Sequence, residues 1–181
     1  MIILICGLSG CGKTTLAEIV SKKLNVLSIS SDDLYPLMYP EGGARISTGD
    51  FTPEALKAVY ACFGPLIYFL SIAASEKHLI LSGNFRFHSQ RESIKKVCEK
   101  LQMSLIVVLM TINNDDIVRE RLKNRIITGE PGDYQHYLKT KAIFEFPSNA
   151  YLFDNSGTKE ELSKKADQLI THIRESSPTS I

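Results

Sequence analysis

Neither sign of charge dominates this chain: 21 Lys and Arg face 20 Asp and Glu, for a formal net charge of +1. No whole-molecule field attracts nucleic acid, which leaves only a local basic groove for such a partner. The four cysteines, Cys6, Cys11, Cys62 and Cys98, form no CxxC pair. That pattern suits small buried fillers in a reduced, cytoplasmic protein better than a disulfide scaffold. No basic residue precedes the N-terminal apolar run, so no secretory signal is predicted. The uncharged stretch 58–74 is interrupted by Gly64-Pro65 and falls just short of a membrane span. It predicts a buried or partner-facing helix, leaving monomer and homodimer both open. His78, His88, His136 and His172 have no metal-ligand spacing and are expected to be structural or surface residues. Internal repeats are absent.

What remains is an ordinary globular composition, 44% hydrophobic and 23% charged, at 20.2 kDa. It predicts one domain over residues 1–175 and a disordered tail over 176–181. Apolar runs recur at "IILIC" (2–6), "VLSIS" (26–30), "HLILS" (78–82), "SLIVVLM" (104–110) and "AYLF" (150–153). Short runs rich in Ile, Val and Leu are expected as strands buried on both faces, with crossover helices between them. Helix starts are signalled by Ser89 with Glu92 as a capping box, by Asn113 or Asn114 before an acidic first turn, and by Thr52-Pro53. Pro65 is expected to kink or split the helix that starts near Thr52. Alternating strands and helices imply a parallel sheet in a three-layer α/β sandwich, with ligands at the carboxyl ends of the strands.

Gly7 to Thr14 reads "GLSGCGKT", which satisfies GxxxxGK[ST] between a predicted strand and a predicted helix. Glycines at 7, 10 and 12, with Ser9 and Cys11 between them, let backbone N–H groups turn inward around an anion. Lys13 adds a mobile cation for β- and γ-phosphates, the Thr14 hydroxyl is placed to ligate Mg²⁺, and Thr15 follows in the same run. A nucleoside triphosphate is the implied ligand.

The second strand ends in "SISSDDLY", which places Asp32 and Asp33 beside the ligand crevice. Asp32 is the candidate to accept a proton or to hold Mg²⁺ through water, and Asp33 to cap the following helix. The third strand ends "HLILSGNF" and offers Ser82 where many phosphate-loop enzymes carry a carboxylate. On "NNDDIVRERLKNRI", Arg119 has Asp115 and Asp116 within one turn as salt-bridge partners. Arg121 and Arg125 lie four apart with no carboxylate three or four positions away, an arrangement costing about 0.2–0.5 kcal/mol unless an anion arrives. With "ITGEPGDY" behind them, they predict a phosphate-clamping lid over about residues 119–140. Arg45 lies in a long loop, Arg86 follows the third strand, and Arg91 sits in a first helical turn where dipole logic disfavours a cation. These arginines and Tyr35 are the candidate acceptor contacts.

Together, "CGLSGCGKTTLA", "SISSDDLY", "GDFTPEALKAVY", "LILSGNFRFHSQR", "VRERLKNR" and "LFDNSG" resemble the AAA-type P-loop kinases. These are the relatives of phage polynucleotide 5'-hydroxyl kinase, gluconate kinase, chloramphenicol phosphotransferase and zeta toxin. The resemblance implies a five-stranded parallel sheet in the order 2-3-1-4-5 with a helical lid. It makes Lys13 and Thr14 the phosphate and Mg²⁺ residues, Asp32 the general base, Arg121 and Arg125 lid residues, and the loop after Asp154, with Asn155, the adenine pocket. Tyr35 stands where polynucleotide kinase has an arginine. Adenylylsulfate kinases share the strand-end serine and a segment like "FEFPSNAYLFDNS", but their DGDxxR motif reads "SSDDLY" here. The expected activity is ATP-dependent transfer of the γ-phosphoryl group to a hydroxyl of a small molecule. A polynucleotide 5'-hydroxyl kinase and a nucleotide-binding regulator with little turnover are the alternatives.

Overall fold

A computed structural model describes residues 1–38, 52–72, 78–127 and 133–176 of the chain. Its strands β1 (Ile2–Gly7), β2 (Leu27–Ser30), β3 (Leu79–Ser82), β4 (Leu105–Thr111) and β5 (Tyr151–Asp154) form one sheet in the order β2-β3-β1-β4-β5. Every pairing is parallel. All five apolar runs are strands within a residue of their predicted ends, and the order is the one implied by the resemblance. β1 and β3 are buried along their whole length, as central strands of a doubly covered sheet must be.

Seven helices among the described residues cover the two faces: α1 (Lys13–Leu24), α2 (Ser31–Met38), α3 (Pro53–Ile72), α4 (His88–Lys100), α5 (Asp115–Ile127), α6 (Tyr134–Ala142) and α7 (Lys159–Glu175). Alternation along β1 divides the core. Ile3 and Ile5, with Val108 and Met110, meet Leu16 and Val20 of α1 and Leu169 and Ile173 of α7. Ile2, Leu4 and Cys6, with Leu79 and Leu81, meet Phe63 and Ile67 of α3 and Ile94 of α4. This is the expected three-layer sandwich. Cys6, Cys11 and Cys98 are buried free thiols. Burial pushes the Cys6 thiol up to about 12 and the Cys98 thiol to about 11, so both are inert fillers.

The start signals hold at two helices and fail at one. Thr52 Oγ1 accepts the Ala55 N–H at 3.2 Å, and Asn114 Oδ1 accepts the Asp116 N–H at 2.8 Å. α4, however, starts at His88, before the predicted Ser89 cap, and Gln90 Oε1 accepts the Phe87 N–H at 3.1 Å. The start is set by tertiary anchors, because Glu145 accepts the His88 N–H and Arg91 reaches the loop below. Pro65 does not split α3, which runs unbroken for 20 residues. Pro65 is on the exposed side, while Val59, Phe63 and Ile67 are fully buried on both sides of it, so packing holds the helix across the missing N–H.

The window Glu54–Ile72 is long and apolar enough to cross a membrane, yet here it packs one face on the sheet. Tyr68, Phe69 and Ile72 remain exposed on the other. Arg45, positions 128–132 of the expected lid and positions 177–181 of the expected tail lie outside the described residues.

Phe63 has no exposed surface and touches the Phe85 ring at 5.1 Å between centroids. Phe63→Ala is expected to lower the unfolding free energy by about 3–5 kcal/mol in urea denaturation. A loss under 1 kcal/mol would mean that α3 is not packed as described.

Candidate active site

The loop between β1 and α1 turns on left-handed glycines: Gly10 has φ 81° and Gly12 φ 91°. Both are also places of close approach. A Cβ on Gly10 would lie 3.1 Å from Val118 Cγ1, and one on Gly12 would lie 2.4 Å from Asn155 Nδ2. α1 has no side-chain cap and no acidic residue in its first turn. Its first N–H groups and its positive dipole end therefore face the loop's concavity, the arrangement that receives an anion. Lys13 Nζ donates to the Leu8 carbonyl at 2.9 Å and lies 4.0 Å from Cys11 Sγ. Thr14 and Thr15 are exposed in the first turn, Ser9 is half-buried and Cys11 is buried.

Three elements far apart in sequence hold this loop. Asn155, after β5, donates its Nδ2 to the Cys11 carbonyl at 2.9 Å, and its own N–H binds the Thr111 carbonyl at 2.9 Å. Gly7 donates its N–H to the Asn84 carbonyl at 3.4 Å, linking the loop to the end of β3. On the third side Leu8 packs on a small cluster of Val118, Leu122 and Tyr137 from α5 and α6. The Asn155 side chain is thus a strut of the phosphate loop, where the resemblance implied a place in the adenine pocket.

At the end of β2 the two aspartates separate. Asp33 Oδ2 accepts the Ser30 N–H at 2.8 Å, while Ser30 Oγ accepts the Asp32 N–H at 3.1 Å, a reciprocal cap of α2. Ser30 is the N-cap and Asp33 its reciprocal partner at the third helical position. Asp32 is exposed, with the Ser31 hydroxyl 3.4 Å from Oδ1. Tyr35, one turn on, is buried. Ser82 is buried at the end of β3, and a Cβ on Gly83 would lie 2.9 Å from Ser31 Oγ, so the ends of β2 and β3 approach closely.

Arg86 is half-buried, with its guanidinium 5.0 Å from the Phe87 ring centroid. Arg91 is nearly fully buried, and its guanidinium donates to the Phe85 carbonyl at 2.5 Å and the Glu145 carbonyl at 2.6 Å. The cation that the dipole disfavours in a first turn is offset by two carbonyls, one of them 54 residues away. Arg91 therefore binds α4 to the loop after β3 and to the chain leaving α6.

On α5, Arg119 pairs with Asp116 at 3.2 Å and stacks 4.6 Å from the Tyr134 ring. Asp115, expected beside Asp116 as a partner, is taken by Lys141 Nζ at 2.6 Å and the Tyr137 hydroxyl at 2.7 Å. These bonds hold its carboxyl below the usual range, while burial first and the Asp115 contact second raise the Tyr137 phenol. Arg121 donates to the Gly157 carbonyl at 3.4 Å, across to the turn after β5, and Arg125 is half-buried one turn along.

A triphosphate fits the loop by its N–H groups and Lys13. Among the described residues no three His, Cys, Asp or Glu form a metal cluster. Mg²⁺ carried on phosphates requires only one or two protein ligands, which matches an exposed hydroxyl at Thr14 and an exposed carboxylate at Asp32.

A family profile described as an AAA domain matches residues 2–147. An adenylate kinase of Geobacillus sp. (strain WCH70) is 27% identical over 174 residues, covering 92% of this chain and 75% of its own. Among solved structures, a gluconokinase from Sinorhizobium meliloti 1021 superposes with a TM-score of 0.70 at 20% identity, covering 96% of this chain and 93% of that one. The Mycobacterium tuberculosis APS kinase in complex with AMPPNP and APS gives 0.65 at 16% identity, covering 95% and 96%. These superpositions establish a shared fold across nearly the whole chain.

Gly12→Ala is expected to lower stability by about 1–2 kcal/mol, because alanine is strained at this φ. Its Cβ also collides with Asn155, so calorimetric ATP affinity should fall with it. An alanine variant as stable as the parent, with the same affinity, would contradict the strut.

Proposed function

Because the chain belongs to the AAA-domain family and has the fold of P-loop kinases, we propose that it transfers the γ-phosphoryl group of ATP to a hydroxyl of a small molecule. The observation that carries the proposal is the division of labour at the end of β2. Asp33 completes the capping box with Ser30, and Asp32 presents an exposed carboxylate two strands from the phosphate loop. A helix start needs one such cap, so the second carboxylate is available for the acceptor.

In this reading Lys13 leaves the Leu8 carbonyl for the β- and γ-phosphates, and the N–H groups at the start of α1 hold the same oxygens. Thr14 and Asp32 would hold Mg²⁺, which supplies neutralisation of charge on the β- and γ-oxygens when bound. Arg121 and Arg125 approach from α5 as lid cations. Asp32 receives the acceptor proton as the bond to phosphorus forms. Arg86 and Tyr35 border the acceptor side, and Arg91 holds that border in place. The protein acts in the cytoplasm, as a monomer or homodimer. Nucleic acid is a weaker candidate, given a net charge of +1 and Tyr35 in place of the arginine.

The adenylate kinase relatives favour a second reading, in which the acceptor oxygen belongs to the phosphate of a nucleoside monophosphate. A screen with γ-labelled ATP over sugars, sugar acids, adenylylsulfate, AMP and a 5'-hydroxyl oligonucleotide separates the readings. Label on a small hydroxyl compound is the expected result, and label on AMP would transfer the proposal to the second. On the acceptor so found, Asp32→Asn is expected to lower kcat about 10²–10⁴-fold, the usual worth of general base catalysis. An unchanged kcat would remove Asp32 from that role.

A further inference from the structure

The Asn84-Phe85 dipeptide after β3 is held more tightly than a loop requires. The Asn84 N–H donates to the Tyr60 hydroxyl at 2.9 Å, and the Phe85 N–H to the same oxygen at 3.4 Å. Gly7 of the phosphate loop donates to the Asn84 carbonyl at 3.4 Å, and Arg91 donates to the Phe85 carbonyl at 2.5 Å. All four backbone groups are thus satisfied, from β1, α3 and α4. Phe85 is fully buried against the Tyr60 and Phe63 rings at 4.9 and 5.1 Å. Its φ is 41°, a left-handed value on a bulky residue that has no Asn or Gly excuse. Such strain persists only where the surroundings over-determine it, and it collects at functional positions.

The one group these contacts leave over is the Asn84 side chain. Asn84 is half-buried, and among the described residues none hydrogen-bonds its side-chain amide. Its place in the sheet is specific. β3 lies between β2 and β1, with Ser82 in register with Ser30 on one side and Ile5 on the other. Two residues further along each chain come Asp32, in the first turn of α2, Asn84, after β3, and Gly7, at the end of β1. Asn84 therefore follows the strand that separates the one ending before Asp32 from the one leading into the phosphate loop, and its carbonyl is bonded to the first glycine of that loop.

We infer that Asn84 is a further catalytic residue, whose side-chain N–H donates to an oxygen of the γ-phosphoryl group during transfer. The inference rests on the kinase reading above. In the step, the bond from phosphorus to the β-bridging oxygen breaks as the bond to the acceptor oxygen forms. The acceptor proton passes to Asp32, and the electron pair leaves with ADP. The amide adds a fixed dipole on the face between Lys13 and Asp32, where no carboxylate ends β3. A neutral donor suits that place because it stabilises equatorial oxygens without repelling them.

The test uses the full chain with ATP and Mg²⁺, water as the acceptor, and the non-transferable analogue AMPPNP as the binding probe. Asn84→Ala and the isosteric Asn84→Asp are both compared with the parent protein for phosphate release, AMPPNP affinity and Tm. The expected result is a fall in kcat of about 10²-fold, the usual cost of one lost donor to a charged transition state. AMPPNP Kd should stay within threefold, Tm should be unchanged, and the aspartate, which brings like charge, should lose at least as much as the alanine. Turnover within twofold of the parent in both variants overturns the inference and leaves the kinase reading intact. Equal losses in AMPPNP affinity, or a lower Tm in both variants, would give Asn84 a structural role and also overturn it. A parent protein that releases no phosphate and labels no acceptor overturns the kinase reading itself, and this inference with it.

Discussion

The hydrogen bond from the Asn155 amide to the Cys11 carbonyl is the contact on which the rest of the site depends. A loop of glycines has no side chains with which to hold its own shape, and its freedom is greatest where Gly12 adopts a left-handed φ. Asn155 closes that freedom across 144 residues of sequence, and Gly12 has no Cβ because the amide lies where one would be. The other tethers act on the same loop from other directions: Asn84 at Gly7, and Val118 and Leu122 against Gly10. Sheet order makes this convergence possible, because β1 is central and its neighbours β3 and β4 end beside it. An anion meeting this loop finds its N–H groups already oriented, which lowers the ordering cost of binding.

The same economy of rigid contacts holds the loop after β3. Tyr60 from α3 and Arg91 from α4 grip it from opposite sides, and Arg91 also reaches the Glu145 carbonyl beyond α6. Glu145 in turn donates its N–H to the Arg86 carbonyl at 2.9 Å. The chain leaving α6 is therefore bonded to the loop after β3, and α5 and α6 are joined to each other by Asp115, Lys141 and Tyr137. Movement of α6 would be felt at Arg86 through this segment.

What could be foreseen from sequence was local. Strands of four to seven residues rich in Ile, Val and Leu declare themselves by composition, and the glycine loop by spacing, so the fold and the loop between β1 and α1 were legible. Thr52 and Asn114 cap as their sequences suggest, since a cap involves residues two or three apart. What escaped was long-range. Nothing near Arg91 announces the Glu145 carbonyl, and nothing near His88 announces the Glu145 carboxylate that moves the start of α4 ahead of Ser89. Pro65 carries a strong local break signal, which packing of Phe63 and Ile67 overrides. Asn155 followed a recognisable "LFDNSG", but a bond to Cys11 is visible only once β5 lies beside β4. The Tyr60 hydroxyl, hidden in the apolar run "AVYACF", had no sequence signal at all.

In the proposed reaction this loop holds the phosphates of ATP through Lys13 and the start of α1. Titration calorimetry of ATP with Mg²⁺ into the parent protein and into Lys13→Ala tests it most directly. One site per chain is expected in the parent, with an affinity about tenfold or more weaker in the variant, the value of one hydrogen bond from a charged donor. Equal affinity in the two proteins, or no binding by the parent, would contradict it.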